Sequence, residues 1–424
     1  MRILHTSDWH LGKRLDLFSR IEEQRQVMDE IVRAADEYQV DAVLLSGDLF
    51  DTFNPSTEAQ ELFYSGLKRL SKNGARPVIA IAGNHDSADA IQAPDPLARL
   101  HGIVLVGYFG ISLPRTVTDA GVTISFPAAG VLRIERAGQP ALNILVSPYA
   151  NERRMQQEIR KLSEGPGEPA APASEAEFIE RLSGLWKRAA AEGFRPGDVN
   201  LFAGHLFAIG SAAGSEELQR DDLQEPEDEK PILYKGGLPP IPVSALPEGV
   251  QYAALGHLHR CHFISETAPT AAYSGSPLAY SRSESEQTKY VLIVEAEPGG
   301  GAEVKRIAMQ GGLPIMRPVC SSVTAALEWL AAHQTAYVEL TLKLEDYLSS
   351  EDRRKIYAAH ERILSIIPEI AAADPAADRR PADISKSIEE LFSDYYANEH
   401  QGARPPQQLT ELFREVLSST EASE

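Results

Sequence analysis

The sequence predicts an α/β protein: a layered β-sandwich flanked by helices, then a small second α/β domain and a helical tail. Three observations carry this reading. Short β-branched runs end at a glycine or small polar residue, amphipathic stretches of helical period alternate with them, and motifs rich in Asp and His follow several of the runs.

Ile3 to Thr6, Ala42 to Leu45, Val78 to Ala82, Val104 to Val106 and Leu201 to Ala203 read as buried strands, because continuous apolar runs suit strands covered on both faces. Between the first two, Ile21 to Tyr38 puts Ile21, Met28, Ile31, Val32 and Ala35 on one helical face. Between the next two, Thr57 to Lys72 does the same with Leu62, Phe63, Gly66, Leu67 and Leu70. That alternation is βαβ and implies a layered core.

Ser163 to Ala173 is rich in Gly, Pro, Ala and Ser and reads as an insertion, after which Ser174 and Glu177 form a capping box for a helix through Trp186. Glu216 to Lys230 is crowded with acids and reads as a solvated loop. Beyond Ile293, Leu327 and Trp329 lie in a helical stretch and Val338, Leu340, Leu342 and Leu344 alternate as a strand. Ile356, Ile363 and Leu364 then resume helical spacing. The expected domains are residues 1–295, 300–370 and a tail at 371–424. In the tail, Ile384, Ile388, Leu391, Phe392 and Tyr395, then Leu409, Leu412, Phe413, Val416 and Leu417, form two apolar stripes that want a partner surface.

With 424 residues the chain is too long for one ordinary domain. No apolar run approaches bilayer length and the first residues lack a signal-peptide core, so a soluble, cytoplasmic protein without membrane contact is expected. Cys261 and Cys320 form no CxxC pair, which argues against a disulfide framework or thiolate zinc site. A formal charge of -20 opposes free binding to nucleic acid, so any DNA contact must be local or supplied by cations or a partner.

Five motifs stand in order: Asp8-Trp9-His10, Gly47-Asp48-Leu49-Phe50-Asp51, Gly83-Asn84-His85-Asp86, Gly204-His205 and Gly256-His257-Leu258-His259. Each follows a strand-like run, and loops at the carboxyl ends of strands converge on one crevice in open α/β sheets. Carboxylate, imidazole and one amide, without thiolate, suit two divalent cations such as Mn(II), Fe(II) or Mg(II). With Asp48 bridging, Asp8, His10 and His259 complete one shell and Asn84, His205 and His257 the other. Asn84 coordinates without cancelling the positive charge that draws a phosphate. His85 is the candidate general acid and Asp51 the carboxylate expected to orient it. Singly, each motif has a bland reading, such as a helix cap for Asp51 or Asp86. The remaining histidines are expected in packing or at the surface, with Cys261 and His262 as outside chances for site neighbours.

The order of these motifs resembles the calcineurin-like metallophosphoesterase superfamily, and Ser7-Asp8-Trp9-His10-Leu11-Gly12 with Gly47 to Asp51 and Gly256 to His259 resembles its SbcD nucleases. The resemblance implies manganese-dependent cleavage of DNA, exonucleolytic from 3′ to 5′ on duplex ends and endonucleolytic on single strands and hairpins, in DNA repair, recombination and replication. It implies a capping domain at 300–370 and tail helices that grip an SbcC-type, SMC-like ATPase. ATP hydrolysis would belong to that partner, since this chain has no Gly-x-x-x-x-Gly-Lys loop. It further implies a homodimer, hence a heterotetramer with SbcC, through Thr57 to Lys72 and Ala88 to Leu100. Cys261 stands where the family would be expected to have proline, and the loops at 163–173 and 216–230 look long for it. Lys13, Arg14 and Tyr149 are candidate DNA contacts, although each is equally an ordinary surface residue.

Rival readings are a phosphoprotein phosphatase, a phosphodiesterase for small or cyclic diesters, and a non-catalytic scaffold. Thr52 and Asp86 stand where phosphatases carry Arg and Glu, a small-diester enzyme would not need the cap and tail, and a scaffold would tolerate a missing ligand.

Overall fold

The βαβ alternation folds into a six-stranded sheet ordered Ala302–Ala308, Tyr290–Ala296, Arg2–Thr6, Ala42–Ser46, Val78–Ile81 and Ile103–Val106. The last four strands run parallel, and Tyr290–Ala296 joins Arg2–Thr6 antiparallel. The computed structural model describes residues 1–149, 174–210, 240–344, 347–370, 391–393, 396, 405, 409–410 and 413. The expected features at 163–173 and 216–230, and tail residues such as Ile384, Ile388 and Leu412, lie outside the described residues.

A second sheet of eight strands contains Leu142–Ser147, Val199–His205 and Tyr252–Gly256 as parallel neighbours. Alternate side chains from the two sheets meet in one core: Ile3, Leu44, Ile79 and Val104 pack with Leu132, Ile144, Leu201 and Tyr252. The opposite face of the first sheet, through Leu4, Val43 and Leu45, is covered by Met28, Ile31, Phe63 and Leu67 of helices Ile21–Glu37 and Thr57–Ser71. Helix Glu175–Gly193 covers the second sheet, with Phe178, Leu182 and Trp186 against Val131, Leu145 and Phe202. The layers therefore run helix, sheet, sheet, helix.

Local chemistry sets the helix starts. The Ser56 and Ser174 hydroxyls accept from the N–H groups of Ala59 and Glu177, both at 3.2 Å, satisfying donors that helix ends leave open.

The boundary placed between 295 and 300 divides a hairpin. Tyr290–Ala296 and Ala302–Ala308 pair antiparallel along their whole length, and the glycines between them turn the chain instead of ending a domain. The smaller α/β part after it holds helices Val323–Ala332 and Ser350–Ala359 and a sheet centred on strand Tyr337–Leu344. The helical spacing read through Ile363 and Leu364 is corrected: Ile363–Ile370 is a strand paired with Tyr337–Leu344. Its run of isoleucines has β propensity, and available pairing partners decide between the two periods.

That smaller part is tied to the first by a buried cluster. Arg20 donates to Glu23 through Nε at 2.6 Å and Nη2 at 2.8 Å, and its guanidinium lies 4.9 Å from the Tyr337 ring centroid. Glu23 accepts from the Tyr337 hydroxyl at 2.8 Å and from the Leu313 N–H at 2.6 Å.

Lys343–Tyr347 and Glu369–Glu424 belong to a second compact unit. Within it the Phe392 and Phe413 rings stack, centroids 4.0 Å apart and planes within 9°. The two apolar stripes therefore meet at those positions. Among the described residues, no helix is long and apolar enough to cross a membrane.

Candidate metal centre

The five motifs come together at the carboxyl ends of parallel strands from both sheets. Asp8 and His10 follow Arg2–Thr6, Asp48 follows Ala42–Ser46, and Asn84 and His85 follow Val78–Ile81. His205 ends Val199–His205, and His257 and His259 follow Tyr252–Gly256. The two sheets are joined beside the site, where the Ser46 hydroxyl donates to the Ala254 carbonyl at 3.1 Å.

The backbone bends sharply there. Asp8, His10, Asp48 and His257 have φ of 53°, 42°, 47° and 116°, a left-handed region that costs non-glycine residues energy and persists where the surroundings impose it. Two glycines give the side chains room. A Cβ on Gly83 would lie 2.1 Å from Asp48 Oδ1, and one on Gly47, whose φ is 91°, would lie 2.1 Å from His205 Nδ1.

Two groups of buried side chains could each hold a cation: Asp8, His10 and His259, and Asp8, Asp48 and His205. Asp8 is common to both, and Asp48 Oδ2 of the second stands 3.6 Å from His10 Nε2 of the first and 3.5 Å from His205 Nε2 of its own. Asn84 Oδ1 faces His205 Nε2 at 2.7 Å and His257 Nδ1 at 3.1 Å.

Protonation tests whether a cation fits. His205 Nδ1–H donates to the Ser46 carbonyl at 2.8 Å, which leaves Nε2 a lone pair in the neutral ring. That lone pair then points at oxygens of Asn84 and Asp48, acceptor toward acceptor, an arrangement a cation resolves. His10 Nδ1 and Asn84 Nδ2 are buried without a hydrogen-bond partner among the described residues. His10 Nε2 and His259 Nε2 approach to 3.0 Å, as two nitrogens aimed at one point would. The residues fit a two-cation centre.

Burial pushes the His205 imidazole down to about 4 and the His10 imidazole well below its ordinary value, with His259, His85 and Lys13 adding to the effect at His10. Both shifts favour the neutral ring, the form that ligates. Burial pushes the Asp8 carboxyl up to about 8 against the pull of His259. Burial would raise Asp48 too, but the imidazoles of His205 and His85 and the His85 N–H, at 2.9 Å from Oδ1, hold it below the usual carboxylate value.

His85 lies beside these groups, its ring centroid 4.9 Å from that of His10, and is only half-buried, so it stays open to a bound molecule. The expected link to Asp51 is corrected in kind. His85 Nδ1–H donates at 2.9 Å to the main-chain carbonyl of Asp51, while the Asp51 carboxylate faces Lys13 Nζ at 3.1 Å and His10 Nδ1 at 3.7 Å. The chain path after Asp48 turns the carbonyl, not the side chain, toward His85.

Lys13 is part of this cluster, and Arg14 is exposed on the small hairpin of Arg14–Leu15 and Phe18–Ser19. Tyr149 is corrected. The residue is 5% exposed and its ring is edge-on to His205 at 6.1 Å, so it packs beside a candidate ligand and is poorly placed for base stacking. His5 is a packing histidine, as expected, with Nε2–H on the Leu255 carbonyl at 3.1 Å.

Sequence reasoning missed two carboxylates. Asp86 accepts from the N–H groups of Gly83, Leu49 and Phe50 at 2.8 to 3.0 Å and so locks two metal loops together. Its place at the end of the Gly83-Asn84-His85-Asp86 motif was the available signal. Glu284, 3.3 Å from His259 Nδ1, belongs to no motif and carried none.

The sequence profile of the calcineurin-like phosphoesterases matches residues 1–137. The chain is 32% identical to the SbcD subunit of the SbcCD nuclease of Bacillus subtilis strain 168, over 99% of both chains. It is 30% identical to the same subunit from Rhodobacter capsulatus, covering 98% of this chain and 93% of that one. To the SbcD subunit of Escherichia coli K12 it is 27% identical over 98% of each. An identity sustained from end to end, on a fold that gathers the motifs of a phosphoesterase, means that this chain belongs to the SbcD family of calcineurin-like phosphoesterases.

Proposed function

We propose that this chain is a nuclease that hydrolyses DNA phosphodiester bonds at a centre for two divalent cations, Mn(II) foremost, with Mg(II) or Fe(II) as alternatives. The observation that carries the reading is Asp48, whose Oδ2 stands 3.6 and 3.5 Å from histidines of the two ligand groups. In this reading Asp8, His10 and His259 would hold one cation and Asn84, His205 and His257 the other, with Asp48 contributing to both. Bound divalent cations would polarise the phosphoryl oxygens and offset the charge that grows in the transition state.

The residues around them do the rest. His85 keeps Nδ1–H on the Asp51 carbonyl, so a doubly protonated ring releases its proton from Nε2 to the departing oxygen. Asp51, through its carboxylate, holds Lys13 at the edge of the cluster, where an ammonium can meet a phosphate. Arg14 adds a second cationic contact in an otherwise acidic chain.

The relatives are named as the SbcD component of SbcCD, which supports a partnership with an SbcC-type ATPase through the tail; the Phe392–Phe413 stack supports a folded helical tip there. Exposed Leu97 and Leu100, at 75% and 56%, support a homodimer through the segment expected for it. Exonuclease action from 3′ to 5′ and endonuclease action on hairpins belong to the same proposal, as does a capping role for the smaller α/β part that follows the hairpin within residues 300–370.

The test is nucleotide release from labelled linear and hairpin DNA by the purified chain with Mn(II), against His85→Ala and a chelator. Cutting by wild type alone supports the reading. Hydrolysis of a small diester with DNA left intact, even with SbcC and ATP added, would replace DNA as the substrate, and inactivity on both would overturn the enzyme.

A further inference from the structure

A buried carboxylate reaches one of the candidate ligands from behind. Glu284 closes the short turn Arg282–Glu284 and is 3% exposed, with Oε1 3.3 Å from His259 Nδ1. The same oxygen accepts from the Tyr280 N–H at 3.1 Å and the Ser281 hydroxyl at 3.0 Å. Oε2 accepts from the Ser276 hydroxyl at 3.2 Å and from the Lys289 ammonium. Lys289, also buried, donates to the His259 carbonyl at 2.9 Å.

Such a site is costly to build. A carboxylate and an ammonium taken out of water need most of their hydrogen-bonding capacity met inside the protein, and a hydrocarbon pair would fill the space with a smaller penalty. What the charged pair achieves here is orientation. With Nδ1–H directed at Glu284, His259 keeps the Nε2 lone pair for the group it shares with Asp8 and His10. His205, the histidine of the other group, is oriented differently, by the neutral Ser46 carbonyl.

We propose that Glu284, held by Lys289, is a positioning residue: it fixes the tautomer and direction of His259 for one of the two cation positions and leaves the other untouched. The inference rests on the two-cation reading above.

The test compares Glu284→Gln/Lys289→Met with Glu284→Leu/Lys289→Met in the full chain, titrated with Co(II) and followed by its d–d absorption. Both variants lose the Lys289 charge, so their difference reports the acceptor oxygen alone. The Leu variant is expected to bind in one step about 10- to 100-fold more weakly than the Gln variant, with the other step unchanged. Equal affinities, or equal weakening of both steps, would overturn the role of Glu284. A wild-type chain that takes up no Co(II) would overturn the two-cation reading itself. Should the Leu variant not fold, ¹⁵N spectra of the wild-type imidazoles decide, since a His259 carrying its proton on Nε2 contradicts the proposal without any variant.

Discussion

His85 is held by the main-chain carbonyl of Asp51, 2.9 Å from Nδ1, while the carboxylate of Asp51 turns away to Lys13. Substituting Asp51 therefore leaves the support of His85 in place. Asp51→Asn is expected to keep most of the DNA-cleaving activity and to weaken DNA binding through a freed Lys13. His85→Ala is expected to lose about 10²- to 10⁴-fold in kcat, the usual worth of a general acid. Steady-state kinetics on one hairpin substrate compare the two, and an Asp51→Asn defect as deep as that of His85→Ala would show that the carboxylate is what matters.

Gly83 leaves no room for a side chain, because a Cβ would lie 2.1 Å from Asp48 Oδ1 and 2.2 Å from its amide nitrogen. Gly83→Ala should cost about 1–3 kcal/mol of stability by overpacking, and a displaced Asp48 should lower metal uptake. Thermal melts with and without Mn(II) check both effects. A variant that melts as wild type does and gains as much from Mn(II) would contradict the proposed place of Asp48.

Stability should fall with acid partly through His5. Burial pushes its imidazole down to about 3 from an ordinary 6.5, with Nε2–H on the Leu255 carbonyl and Nδ1 accepting from the Tyr252 hydroxyl at 2.8 Å. Between those values the unfolded chain binds a proton that the folded chain refuses, so stability is full above about 6.5 and declines as pH drops toward about 3. His5→Gln should remove that share of the decline. Chelator-treated melts at several pH values in this window measure it, and parallel slopes for variant and wild type would count against a neutral buried His5.

The Tyr337 hydroxyl donates to Glu23 at 2.8 Å, joining the smaller α/β part to helix Ile21–Glu37. Tyr337→Phe keeps the ring against Arg20 and removes one donor to a buried carboxylate, which should cost about 1–3 kcal/mol. Urea melts of the two proteins test this. An unchanged midpoint would mean that Leu313 and Arg20 alone satisfy Glu23.

The sequence by itself determined which residue types stand at the candidate site and the order of its parts. Asp8, Asp48, Asn84 and His257 were legible because each sits beside a strand whose apolar run is a local signal, and the helices at 21–37 and 57–71 because amphipathic spacing is local too. Only the tertiary structure decided which atom of Asp51 meets His85, that Glu284 stands behind His259, that Tyr149 is covered, and that Ile363–Ile370 pairs as a strand. The physical reason is the same in each case. Residue type and spacing determine what a side chain can do, but the direction of a carbonyl or carboxylate across many residues, and the choice between helix and strand for an isoleucine run, depend on partners that only the folded chain brings within reach.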